Sequence, residues 1–213
     1  MSIGITNLIG GVLVEHLVPK IGLHSRTTQL TLTTIMSFLL SYINSTLFMM
    51  VEGNILSWNP ILIPTGLSKN WFEIYGNCIF TSTFTTTFLP YFSPVFGLLF
   101  KACGRKNLKP GVFKIEKKYS VMLTTIFVAF TYGFEIPLLF ISVSICFFVQ
   151  YLLDKIFITY WYEMNPIRSD LLIKITTRIL KFAPVPMFLV ASRALQANSC
   201  MVFLNPSPIE VVN

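Results

Sequence analysis

The chain has 213 residues, 54% of them hydrophobic and only 12% charged, with a mean hydropathy of +0.69 and a formal net charge of +7. Soluble domains carry about a quarter of their residues charged, so this composition argues against one and for an integral membrane protein. The lysines and arginines lie between apolar runs rather than on one basic surface interleaved with aromatics, which excludes nucleic acid as the expected partner and fits basic loops facing the cytoplasm.

Residues 3–18 are apolar but hold Glu15 and His16 and stop at Pro19, a partial span that reads as the inner end of a helix. No basic leader or small-residue cleavage site precedes it, so this run is expected to be retained. After a basic junction at 20–26, residues 27–51 give 25 uncharged positions, enough to cross a bilayer with some tilt. Thr34, Ser37, Ser41 and Asn44 recur there at steps of three and four and share one helical face. Such a face suits a helix-packing seam, since small residues let membrane helices approach; a pore-lining stripe is the alternative.

Residues 52–73 form a weakly acidic loop with Trp58 and Trp71 placed for the interface. The next apolar run, 74–100, contains TSTFTTTFLPYFSP, six hydroxyls in seven residues followed by Pro90 and Pro94, which should kink its second half. Asn77, Thr81 and Thr85 fall on one face. Threonines can bond back to their own helix carbonyls, so the tract is either tolerated locally or forms a hydrated wall. Residues 101–118 carry seven lysines and arginines against Glu116 and mark a cytoplasmic loop.

The segment Tyr119–Leu153 has 35 residues and one charge, Glu135. As one helix it would rise about 52 Å, beyond a hydrocarbon core of about 30 Å, so it must fold back. Gly133, Glu135 and Pro137 supply the break, giving a short helical hairpin with arms 119–134 and 137–153. Each arm is a little short for a full span, which would leave the turn inside the membrane. Ser120, Thr124 and Thr131 share the face of Glu135, and Ser142, Cys146, Gln150 and Asp154 run down the second arm. Beyond it, 171–182 alternates basic and apolar faces like a helix at the interface, and 183–204 is an apolar run interrupted by prolines and Arg193. The expected fold is all-α, one polytopic transmembrane bundle over 1–213, with 101–118 and 154–181 cytoplasmic and 52–73 external.

No nucleophile elbow, P-loop or dinucleotide fingerprint occurs, and the two histidines and four cysteines form no metal-binding spacing. The expectation is a non-enzyme without cofactor or metal. An ionisable residue within a membrane segment is expensive, which singles out Glu135; a solvent-exposed turn, needing no role, is the alternative. The candidate path residues are Glu135, Thr131, Thr124, Gln150, Thr81, Thr85 and Asn44.

The order KKYSVMLTTIFVAFTYGFEIPLLF, then an arm ending YLLDKIFITYWYEMNP, resembles the late helices of multipass proteins of single-celled eukaryotes, as do VEHLVPKIGLHSRTTQ and NWFEIYGNCIFTSTF upstream. Those proteins are distantly similar to the superfamily of osmosensitive calcium-permeable channels, anoctamins and transmembrane channel-like proteins. The resemblance implies a transport unit, ion channel-like or lipid-scrambling, in a eukaryotic plasma membrane or endomembrane, with the lipid bilayer and an oligomer or partner membrane subunit around it. The anoctamin calcium site uses several acidic residues where this arm offers only Asp154, so calcium gating is not implied. The chain is far shorter than such proteins and opens at their middle helices. A non-transporting subunit or truncated fragment that packs against a partner is therefore the alternative.

Overall fold

Long apolar runs separated by proline, glycine and lysine clusters leave the backbone one economical way to satisfy its hydrogen bonds, and the chain takes it: the described part is helical almost throughout. The computed structural model describes residues 2–22, 25–47, 76–103, 111–163 and 170–192. The loop 52–73 with Trp58 and Trp71, and most of the run 183–204, lie outside the described residues.

Helix α1 spans Ser2–Leu17 and ends in a tight turn, Val18–Ile21, that begins with Pro19 near its N-terminus and closes at Gly22 with φ of 70°. Helix α2, Arg26–Tyr42, widens into a π-turn at Ile43–Leu47, which holds Asn44. Helix α3, Asn77–Ala102, stays helical through both Pro90 and Pro94. A two-residue strand β1, Gly111–Val112, precedes α4, Ile115–Tyr132. Helix α5, Leu138–Tyr160, leads into strand β2, Tyr162–Glu163, which pairs in parallel with β1. Helix α6, Asp170–Leu180, continues through tighter turns at 181–183 into helical residues 184–192.

The break between α4 and α5 falls at 133–137, where Glu135 N–H and Ile136 N–H both donate to the Tyr132 carbonyl. Gly133 is required by close approach: a methyl there would collide with the Phe140 ring and the Ala129 carbonyl. The arms differ from the expected lengths. Helix α5 has 23 residues and a rise of about 34 Å, so it is not short, and it runs past Leu153 to Tyr160. The charge at Asp154 does not end it because Lys118 and Tyr91 both bond that carboxylate.

Among the described residues two helices are long and apolar enough to cross a membrane, Leu138–Tyr160 and Asp170–Ser192. The described part of the run at 27–51 is the 17-residue helix α2, which starts at Arg26, followed by its five-residue π-turn, and α3 has the length but is diluted by its hydroxyl tract. The stretch expected to lie at the interface, 171–182, is thus part of a longer rod. Its Leu172 is buried while Lys174, Arg178 and Lys181 are exposed.

Helix α2 packs most extensively on α4. One core cluster centres on Ile79, Val128, Tyr132, Leu139 and Val143; a second joins Phe38, Leu123, Phe127 and Ala183. Chain direction gathers one set of helix ends together. Lys114 Nζ lies 2.6 Å from Glu15 Oε2, Lys101 Nζ donates to the Tyr160 carbonyl at 3.3 Å, and β1 pairs with β2. The α4/α5 turn lies at the other end, near Thr46.

Candidate functional site

Beside the two apolar clusters, the helix junctions bury hydroxyls while large apolar side chains remain exposed. Fully buried positions include Thr34, Thr46, Thr87, Thr125 and Thr131, and Gln150 is also buried. Meanwhile Leu138, Ile141, Ile145, Phe148, Leu152 and Ile156 form an exposed stripe along α5, Phe148 at 64%. A helix with such a stripe needs an apolar medium or a partner to cover it.

The buried hydroxyls line the junctions of α2, α3, α4 and α5. Many return their proton to the carbonyl one turn back: Thr31, Thr33 and Thr34 on α2, Thr83 on α3, Thr124 and Thr131 on α4. This closes their hydrogen-bonding demand locally and leaves oxygen lone pairs facing the neighbouring helix. Thr131 donates to the Phe127 carbonyl at 2.7 Å and lies 3.1 Å from the Tyr42 hydroxyl, which therefore donates to it. One residue on, Tyr132 donates to the Thr46 carbonyl at 2.9 Å.

A second junction joins three helices. The Gln150 amide donates to the Thr87 carbonyl at 3.3 Å, and the Thr87 hydroxyl lies 3.3 Å from that of Thr125. Gln150 thus bonds α3, and Thr87 in turn meets Thr125 of α4. Sequence spacing does not single out Thr83, Thr87 or Thr125, yet these are buried, whereas Thr81 is exposed and Thr85, half-buried, bonds back to the Thr81 carbonyl. Threonines at 81, 83, 85, 86 and 87 occupy all sides of α3, so only the partners decide which face is inside.

Between α1, α2, α3 and α4 lies a cleft of about 80 Å³, lined by Thr33, Ser37, Ser41, Thr86 and Ser120 with Glu15, Glu116 and Lys117 at one end. That volume holds a few waters. Ser37 and Ser41 of the stripe on α2 line it, and Thr34 lies against α4, 3.3 Å from the Glu116 carbonyl. Asn44 sits half-buried in the π-turn beyond. Three buried side-chain oxygens find no hydrogen-bond partner among the described residues: Thr86 Oγ1 beside the cleft, and Thr46 Oγ1 and Glu135 Oε2 at the turn end.

The opposite end is charged. Lys118 Nζ lies 2.5 Å from Asp154 Oδ1 and 3.6 Å from the centroid of the Tyr91 ring, and the Tyr91 hydroxyl donates to the same carboxylate oxygen at 2.9 Å. Burial pulls the Lys118 ammonium below the ordinary lysine range, with Asp154 acting in the other direction. Among the described residues no group of three or more His, Cys, Asp and Glu could hold a metal ion. No protein-family model, curated protein or solved structure matches the chain.

Proposed function

We propose that this chain is a multipass membrane transport unit in which the polar junctions around α4, from the Glu15 and Lys117 cleft to Glu135, border a hydrated path for cations or lipid headgroups. The observation that carries the proposal is the set of buried oxygens without a hydrogen-bond partner among the described residues, Thr86 Oγ1 at the cleft and Thr46 Oγ1 and Glu135 Oε2 at the turn end of α4. Buried polar groups without a partner are costly, and water or a passing cation satisfies them at once. The apolar stripe of α5 supports placement in a bilayer, since lipid covers it without cost. Two helices of sufficient length and apolarity agree with that placement.

A second reading has its own support. The threonines that bond back to their own helices need no water, and the Gln150, Thr87 and Thr125 contacts are interhelical bonds within the chain, as expected of polar groups that serve packing. In that reading the chain is a non-transporting subunit. Reconstitution of the purified chain into liposomes, with cation flux and lipid scrambling read in the same vesicles, separates the two. Transport above that of protein-free vesicles favours the path; its absence in a folded preparation favours the subunit.

A further inference from the structure

At the charged end, α3, α4, α5 and the β1/β2 ladder enclose a cavity of about 340 Å³, within the range of small-ligand sites. Lys114, Lys117 and Lys118 line it from one face at the start of α4, and among the described residues no carboxylate lies in the lining. Their acidic partners stand outside the lining: Glu15 beyond Lys114 and Lys117, Asp154 beyond Lys118. The Glu15 pairs leave the side chains of Lys114 and Lys117 nearly half exposed, so water already competes for them and little energy opposes their turning inward. Thr87, Ser93 and Gln150 add polar groups to the walls.

Aromatic side chains shape the rest. Trp161 packs so closely on Gly97 and Gly111 that a methyl at either would strike its ring, and Tyr91 and Tyr162 flank it. Val112 in the lining is exposed, as are Phe92 and Phe96 on the neighbouring face of α3. A compact anion enters such a cavity from water as easily as from lipid, but a basic pocket with an aromatic wall and an apolar rim at the end of a helix bundle fits a ligand with a charged head and a greasy tail.

We propose that this cavity binds the phosphate-bearing headgroup of an anionic membrane lipid, held by Lys114, Lys117 and Lys118 with its acyl chains along the exposed face of α3. This rests on the membrane placement proposed above. It specifies which lipid class the bundle would hold, whether or not that lipid is moved.

The test uses the full chain in nanodiscs of phosphatidylcholine alone or doped with phosphatidylserine or a phosphatidylinositol phosphate, with retained lipid read by native mass spectrometry. The expected result is retention of the anionic lipid about tenfold over phosphatidylcholine, a difference of about 1.4 kcal/mol. Lys114→Gln and Lys117→Gln should each lower it severalfold, Lys117→Arg should restore it, and Lys174→Gln with Arg178→Gln on α6 should leave it unchanged. Lys114 and Lys117 are exposed enough that these variants should fold, which helical circular dichroism checks. Equal retention of both lipids, or equal loss with the α6 variants, overturns the site. Competition by inorganic phosphate in the absence of any lipid preference makes the ligand a free anion and overturns the lipid assignment. Failure of the wild-type chain to enter nanodiscs contradicts the membrane placement itself, a distinct outcome.

Discussion

Lys118 and Asp154 join the first turn of α4 to the last turns of α5 through a 2.5 Å contact between Nζ and Oδ1, with both side chains largely buried. The pair closes the open end of the hairpin just as the 133–137 turn closes the other. Removing one partner strands the other charge, so Lys118→Met should lower stability by about 1.5–3 kcal/mol. The double variant Lys118→Met/Asp154→Asn should recover part of that loss. A double-mutant cycle in denaturant-dependent unfolding in micelles measures the coupling, and additive effects would mean the contact is not made.

Tyr132 is fully buried, and its hydroxyl bonds the Thr46 carbonyl, tying the turn end of α4 to the π-turn after α2. Tyr132→Phe leaves that carbonyl without its donor and should cost about 1–2 kcal/mol. Tyr42→Phe should cost less, because Thr131 keeps its bond to the Phe127 carbonyl. The order of the two unfolding midpoints checks this.

Glycines 133 and 11 make a matched pair. A methyl at Gly133 meets the Phe140 ring and a backbone carbonyl, whereas at Gly11 nothing lies within 4 Å. Gly133→Ala should therefore loosen the hairpin and raise proteolysis at the turn, while Gly11→Ala should be neutral or slightly stabilising through helix propensity. Limited proteolysis of the two variants side by side reads the difference.

The hairpin is the most legible part of the sequence, because length forbids one span and Gly133, Glu135 and Pro137 name the break. The end of its second arm is not legible: a charge at Asp154 looks like a helix leaving the membrane until its partners on α3 and α4 are known. In the candidate site the stripe on α2 and the pair Thr124 and Thr131 can be read from spacing, since each lies on one face. The inward face of α3 cannot, because its threonines surround the helix. The cavity at the charged end arises from 111–118 meeting 161–162, a long-range closure that no local pattern encodes.

The charges predict an orientation. If 101–118 faces the cytoplasm and 52–73 the outside, a cysteine placed at Asn107 in a background with the four native cysteines replaced by serine should label with a membrane-impermeant maleimide only after cells are opened. Labelling in intact cells would invert the topology.

The proposed hydrated path ends at Glu135. The most direct measurement is cation flux and lipid scrambling in liposomes holding wild type, Glu135→Gln and Thr85→Val at matched protein density. Glu135→Gln keeps the shape and removes the charge, so the path predicts a severalfold change in cation flux or selectivity, with the Thr85→Val effect smaller because Thr85 is only half-buried and bonded to its own helix. A wild-type preparation that transports, with flux and scrambling both unchanged in Glu135→Gln, would contradict it.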